Sequence, residues 1–272
     1  MSFAQRLAGA VSAHGPLCVG IDPHPGLLDA WGLPRDVSGL ERFALTCVEA
    51  FGGHVALVKP QAAFFEAYGS RGVAVLESVL EGLRGTGTLT LVDAKRGDIG
   101  STMAAYAAAY LSDGSPLAGD AVTLSPYLGF GSLDPALEAA RASGRGVFVL
   151  ARTSNPEGAS VQCAEAPSGG SVGQAVVDEA ARRNAGAEPL GDVGLVVGAT
   201  LAQLDLDLSD LHGYVLAPGF GAQGATVADL RRLFGDDLPG VLPTSSRDVL
   251  KHGPDSASLR SAARRVGDSL AM

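Results

Sequence analysis

Lysine is scarce in this 272-residue chain. Of its 20 basic residues only Lys59, Lys95 and Lys251 are lysines, and the first two stand at the ends of apolar runs. A chain that otherwise takes its positive charge from arginine has reasons of chemistry to set an ammonium at those two points. Cysteine is as sparse: Cys18, Cys47 and Cys163 are an odd number without metal-ligand spacing, which argues against a disulfide framework and for a reducing compartment. The five histidines (His14, His24, His54, His212, His252) form no H-x-x-x-H or related set, so no histidine metal site or triad is expected. No apolar stretch reaches membrane-spanning length, and residues 1–15 read as an amphipathic helix rather than a signal peptide. The excess of 29 acidic over 20 basic residues, a net charge of −9, argues against nucleic acid or a membrane surface as partner. A soluble cytoplasmic enzyme is the expectation.

Hydrophobic residues make up 46% of the chain, enough to build a large core without a metal or disulfide staple. Short Val-, Leu- and Ile-rich runs at 17–21, 54–58, 88–92, 121–124, 146–150, 193–197, 213–217 and 239–242 are continuous rather than alternating, as buried parallel strands are. Helical spacing falls between them, at 40–51, 62–83, 102–111, 135–142, 172–184, 201–206, 226–234 and 257–266. Eight such units over this length predict one (β/α)8 barrel domain of the α/β class across residues 1–272, preceded by an N-terminal helix. An open doubly wound sheet is the rival, but no G-x-G-x-x-G follows the first run. No repeat or linker divides the chain. The segment 153–171 is much longer than an ordinary βα loop, and is expected to be functional or mobile.

In a barrel the chemistry collects where strands end. The residues just past the runs are Asp22, Lys59, Asp93 with Lys95, Ser125, Arg152, Gly198, the loop opening at Pro218, and the turn 244–247. Apolar strands rarely end in charge unless that charge has a partner. Strand alternation should point Asp93 and Lys95 into the mouth and Ala94 toward the helices, with Gly97 turning the chain and carrying Asp98 away. With Lys59 from the neighbouring strand, this makes a net of alternating charge: Lys59, Asp93, Lys95, Asp98. Such a net could be only structural. Two lysines and two aspartates converging favour function.

The glycine-rich stretch 218–224 (PGFGAQG) is followed one βα unit later by Thr244, Ser245, Ser246 and Arg247. Glycines let backbone N–H groups approach an anion, and an arginine fork suits phosphate oxygens. Loops seven and eight are the usual phosphate position in this fold. Asp22 suits ribose hydroxyls or a cap; residues 152–156 suit either a ligand ring or a turn.

At this point the chain resembles a known family. Residues 19–25 (VGIDPHP), 58–69 (VKPQAAFFEAYG), 91–102 (LVDAKRGDIGST), 124–129 (LSPYLG), 150–158 (LARTSNPEG), 217–224 (APGFGAQG) and 243–248 (PTSSRD) are similar to the orotidine 5′-phosphate decarboxylases, most like the branch of mycobacteria and related bacteria. The resemblance implies cofactor-free, metal-free decarboxylation of orotidine 5′-monophosphate (OMP) to UMP in a homodimer with shared sites. It implies that Asp93 lies beside the substrate carboxylate and that Lys95 protonates C6. Asp98, Ile99 and Thr102 would come from the second subunit. Asp22 and Lys59 match ribose contacts, Ser154 a contact to the pyrimidine ring, and Pro218, Gln223 and Arg247 the phosphate side. Ala94 replaces a phenylalanine common in other branches, and Ser246 stands where the family has a glycine before the phosphate arginine.

Three alternatives stand beside this reading. Sugar-phosphate relatives share D-x-K-x-x-D but use Mg2+ with an acidic residue at the second strand, where Lys59 would repel a metal. A Schiff-base aldolase could use Lys95. A non-catalytic nucleotide-binding regulator would need no such charge network.

Overall fold

The computed structural model describes residues 1–167, 169–235 and 240–270. Eight parallel strands close on themselves in sequence order: β1 (Cys18–Ile21), β2 (Leu57–Pro60), β3 (Leu89–Arg96), β4 (Ala121–Leu124), β5 (Gly146–Arg152), β6 (Gly191–Val197), β7 (Gly213–Pro218) and β8 (Val241–Ser245). The helices are α1 (Phe3–His14), α2 (Pro25–Ala30), α3 (Val37–Phe51), α4 (Ala62–Glu66), α5 (Gly69–Leu83), α6 (Gly100–Leu111), α7 (Asp134–Ser143), α8 (Ala159–Gln162), α9 (Val172–Asn184), α10 (Val227–Phe234), α11 (Arg247–Leu250) and α12 (Ser256–Leu270). The barrel expectation holds. Among the described residues no helix is long and apolar enough to cross a membrane.

Strand alternation divides the apolar side chains between two layers. One set, including Val19, Val58, Val92 and Ala94, packs outward against the helices. The other, including Leu57, Leu91, Phe148 and Leu216, fills the barrel interior together with Phe3, Ala4 and Leu7 of α1. Thus α1, fixed by a Ser2–Gln5 capping box, closes the end where the strands begin. Phe3 meets Phe148 edge-on at 6.1 Å, and burying such a ring contributes about 1.5–3 kcal/mol. Gly146 is required there, because a Cβ would lie 2.2 Å from the Phe3 ring. With that end sealed, only the strand C-terminal end offers an open mouth.

Several boundaries differ from the sequence reading. The second strand begins at Leu57 rather than 54, and β3 and β5 run on through Arg96 and Arg152, so the charged residues lie within the strands instead of just beyond them. The predicted helix 62–83 is broken in two at Gly69, which adopts φ +64. The predicted helix 201–206 is absent. Asp205 pairs there with Arg152, the Asp207 carboxylate accepts from the Ser209 N–H, and Leu201, Leu206 and Leu211 are buried as separate anchors. These side-chain bonds compete with a helical ladder. Pro239, expected to open the eighth strand, lies outside the described residues. The segment 153–171 carries α8, and Gln162 accepts from the Thr153 N–H at 2.9 Å, closing the segment on its own start.

Candidate active site

The mouth is organised around Asp93. This carboxylate on β3 is 8% exposed and Lys59 on β2 is 5% exposed, so neither charge can rely on water. The Lys59 ammonium donates to Asp93 Oδ2 at 2.9 Å and the Lys95 ammonium to Oδ1 at 2.6 Å. The Thr123 hydroxyl, from β4, also donates to Oδ1 at 2.8 Å. The Gln61 side-chain NH2 adds donations to the Asp93 carbonyl at 2.7 Å and to Oδ2 at 2.9 Å. Burial by itself would raise the Asp93 pKa, but the attraction of Lys59 and then Lys95 outweighs it and holds the carboxyl below the ordinary range. For Lys59 burial pulls downward, and Asp93 followed by Asp22 more than restores it, leaving the ammonium above its ordinary value. Both groups are therefore ionised at neutral pH. Cys18, deeper in the barrel, is pushed up to about 12 chiefly by burial and is no nucleophile.

Asp22 follows β1. Its Oδ1 is buried, lacks a hydrogen-bond partner and lies 3.9 Å from the Lys59 ammonium. An acceptor so placed is ready for a ligand hydroxyl. Across the opening, the loop after β7 turns through Gly219, Gly221 and Gly224, all at positive φ. At Gly221 a Cβ would come 2.0 Å from Asp248, so this loop must pass close to the start of α11, where Arg247 sits. Among the described residues no carboxylate pairs with Arg247.

Asp22, Lys59, Asp93, Lys95, Pro218, Gln223 and Arg247 line one cavity of about 230 Å3. A wider groove of about 690 Å3 lies under α1, but Arg6 and Arg145 there are already paired with Asp120 and Asp113. Its charges hold the fold together.

Other expectations fare differently. Ser154 is exposed and lies against Gly198, while its neighbour Thr153 lines the cavity. Ser125 does not line it: its N–H donates to the Arg96 carbonyl at 2.7 Å, tying the loop after β4 to the end of β3. Arg152 is engaged by Asp205 and donates to the Thr153 carbonyl at 2.9 Å, so it holds the loop and not the cavity. Asp98, Ile99 and Thr102 are not in this wall; Ile99 is 61% exposed. At Gly97 the requirement for glycine is steric: a Cβ would meet the Ser125 carbonyl at 2.3 Å.

Sequence reasoning missed Gln61 and Thr123, and held Thr153 only as one of the residues 152–156. Gln61 lies two residues beyond Lys59, on the same strand face, and that spacing could have found it. Thr123 was concealed inside an apolar run.

Residues 15–262 match the family described as orotidine 5′-phosphate decarboxylase / HUMPS. An orotidine 5′-phosphate decarboxylase of Salinispora tropica is 64% identical over 265 residues, 97% of this chain and 95% of that protein. One from Streptomyces coelicolor is 58% identical over 263 residues, covering 97% and 95%. A crystal structure from Streptomyces avermitilis superposes with a TM-score of 0.96 at 57% identity, covering 99% of this chain and 95% of that one. The Leishmania donovani OMP decarboxylase structure gives 0.77 at 31% identity, covering 100% and 98%. Matched from its first strand to its last helix, this chain belongs to the orotidine 5′-phosphate decarboxylase / HUMPS family.

Proposed function

We propose that this protein is an orotidine 5′-phosphate decarboxylase that converts OMP to UMP and CO2 in pyrimidine nucleotide synthesis, with residues 1–272 as one catalytic unit and no cofactor. The observation that carries the reading is the shared cavity, with the Lys59–Asp93–Lys95 network on one wall and Pro218, Gln223 and Arg247 on another.

Loss of CO2 from C6 leaves the electron pair of the broken C–C bond on a vinylic carbon with no adjacent sink. The Lys95 ammonium stabilises that pair and then donates its proton to C6, giving UMP; water reprotonates the amine. Because the ammonium is fixed in advance by Asp93, little reorganisation is needed as charge develops. Asp93 lies beside the substrate carboxylate, and the repulsion between them falls as CO2 departs. Asp22 and Lys59 hold the ribose hydroxyls, and Pro218, Gln223 and Arg247 take the phosphate. The segment of Thr153 and Ser154, which reaches the cavity through Thr153, contacts the pyrimidine ring by way of Ser154 once nucleotide is bound. Binding energy from the remote phosphate supports the step at C6.

Asp98, Ile99 and Thr102 complete the site of a second copy in a homodimer. Supporting this are three exposed apolar side chains on the adjoining loops after β3 and β4: Ile99 at 61%, Tyr127 at 79% and Leu128 at 54%. A metal-dependent sugar-phosphate reaction is disfavoured by position. The Lys59 ammonium, 2.9 Å from Asp93 and 3.9 Å from Asp22, stands where a divalent cation would need to bind those carboxylates. Loss of orotidylate absorbance with purified, EDTA-treated protein tests the reading. Steady turnover is expected; no turnover, or turnover only after adding Mg2+, would overturn it.

A further inference from the structure

We infer that Thr123 is a positioning residue of this reaction: its hydroxyl holds both the Asp93 carboxylate and the Lys95 backbone. The inference rests on Lys95 being the proton donor. Thr123 is 1% exposed and makes two bonds at that point, donating to Asp93 Oδ1 at 2.8 Å and accepting from the Lys95 N–H at 2.9 Å. Their direction is fixed by chemistry. An ionised carboxylate can only accept and an amide N–H can only donate, so the one hydroxyl proton must go to Asp93 and a lone pair must face Lys95.

The strand register shows why a side chain is needed there. The β3–β4 ladder pairs Val92 with Val122 and then Arg96 with Leu124. Between those pairs β3 places Asp93, Ala94 and Lys95 opposite Thr123 alone, a bulge that takes the Lys95 N–H out of the backbone ladder. The Thr123 hydroxyl replaces the missing carbonyl. At the same residue the backbone is left-handed, with φ +48; apart from His212 at the closed end, no other non-glycine residue is so among the described residues. An unbranched lysine gains nothing locally from that conformation, so its surroundings must impose it. The hydroxyl and the Lys95 ammonium meet at the same oxygen, Asp93 Oδ1. The clamp thus fixes both ends of one lysine, its backbone directly and its ammonium through Asp93.

The test compares Thr123→Ser, Thr123→Cys and Thr123→Val with the parent enzyme, reading kcat and KM for OMP and the Kd for UMP. Serine keeps the hydroxyl and should retain kcat within about threefold, whereas cysteine differs from serine by one atom and bonds poorly. Cysteine and valine should lower kcat by about tenfold or more, with KM and UMP affinity changed by no more than about threefold, because what is lost is the aim of the proton donor. Equal kcat for the serine and cysteine variants would overturn the proposal even if the valine variant fails to fold. So would a loss of UMP affinity as large as the loss of kcat, which would mark Thr123 as holding the whole site together. Lys95→Ala separates the two readings: if it turns over normally, the proton-donor assignment falls and this inference with it. If Lys95→Ala is inactive while the serine and cysteine variants match, only the clamp is lost.

Discussion

The Lys59 ammonium and the Asp93 carboxylate meet at 2.9 Å, and each is more than nine-tenths buried. Removing either one strands its partner out of reach of water, so the pair is far more sensitive to truncation than a surface ion pair.

For Lys59→Met the consequence appears in the pH dependence of stability. The Asp93 pKa is lowered in the folded protein, so its contribution is complete above the ordinary carboxylate value of about 3.9 and is lost as pH falls through the folded value. The Lys59 pKa is raised, so its contribution is complete below about 10.4 and is lost as pH rises through the folded value. The parent enzyme should therefore owe no pH dependence to this pair between those limits. Without Lys59, burial pushes Asp93 upward, and urea-unfolding midpoints measured into acid should fall off at a pH higher by about one unit. At neutral pH the loss should be about 3 kcal/mol. Parallel parent and variant curves would show that Lys59 does not set the Asp93 ionisation.

Lys95→Ala should abolish turnover while leaving UMP binding measurable, since the ammonium is required in the transition state and less in the ground state. Its side chain is 44% exposed, so the fold should survive the change. Stopped assays with equilibrium dialysis read both quantities. An unchanged kcat would remove Lys95 from the proton-donor role.

Arg247→Ala should raise the Kd for UMP by about a hundredfold, a charged hydrogen-bonded contact being worth roughly 1.5–3 kcal/mol. Uridine, which lacks the phosphate, should bind both proteins alike. Equal losses for nucleotide and nucleoside would contradict a phosphate grip.

Lys95→Ala and Asp98→Ala proteins should each be inactive alone. Mixed, they should regain activity, up to about a quarter of the sites if subunits exchange at random and each site draws on both chains. No recovery after demonstrated subunit exchange would place Asp98 and Lys95 in the service of the same chain.

The barrel was legible because eight continuous apolar runs alternate with helical spacing, and the charged endings of the first three put Asp22, Lys59, Asp93 and Lys95 together. What stayed hidden follows from how the reading worked. Thr123 sits third in the run 121–124 and looks like a β-branched packing residue, and nothing in sequence distinguishes it until the bulge in β3 is seen. The left-handed backbone lies at Lys95, a residue type that gives no sign of it in sequence, because tertiary bonds impose it. Ser125, an obvious polar residue at a strand end, serves the backbone, while the functional hydroxyl lies two residues earlier. Residues 201–206 had helical spacing, but Asp205 and Asp207 spend their carboxylates on Arg152 and on the Ser209 N–H.

Barrel closure has a consequence of its own. Asp22, Lys59, Asp93 and Lys95 come from the first three strands, Pro218, Gln223 and Arg247 from the last two, and the halves are joined where β1 pairs with β8 through only Cys18–Thr244 and Val19–Ser245. Nucleotide bound across that seam works as a rivet between the beginning and the end of the chain. Ligand should raise the melting temperature of the intact enzyme, and catalysis should fade on heating before the helical signal does, because the joint on which it depends is among the shortest in the sheet.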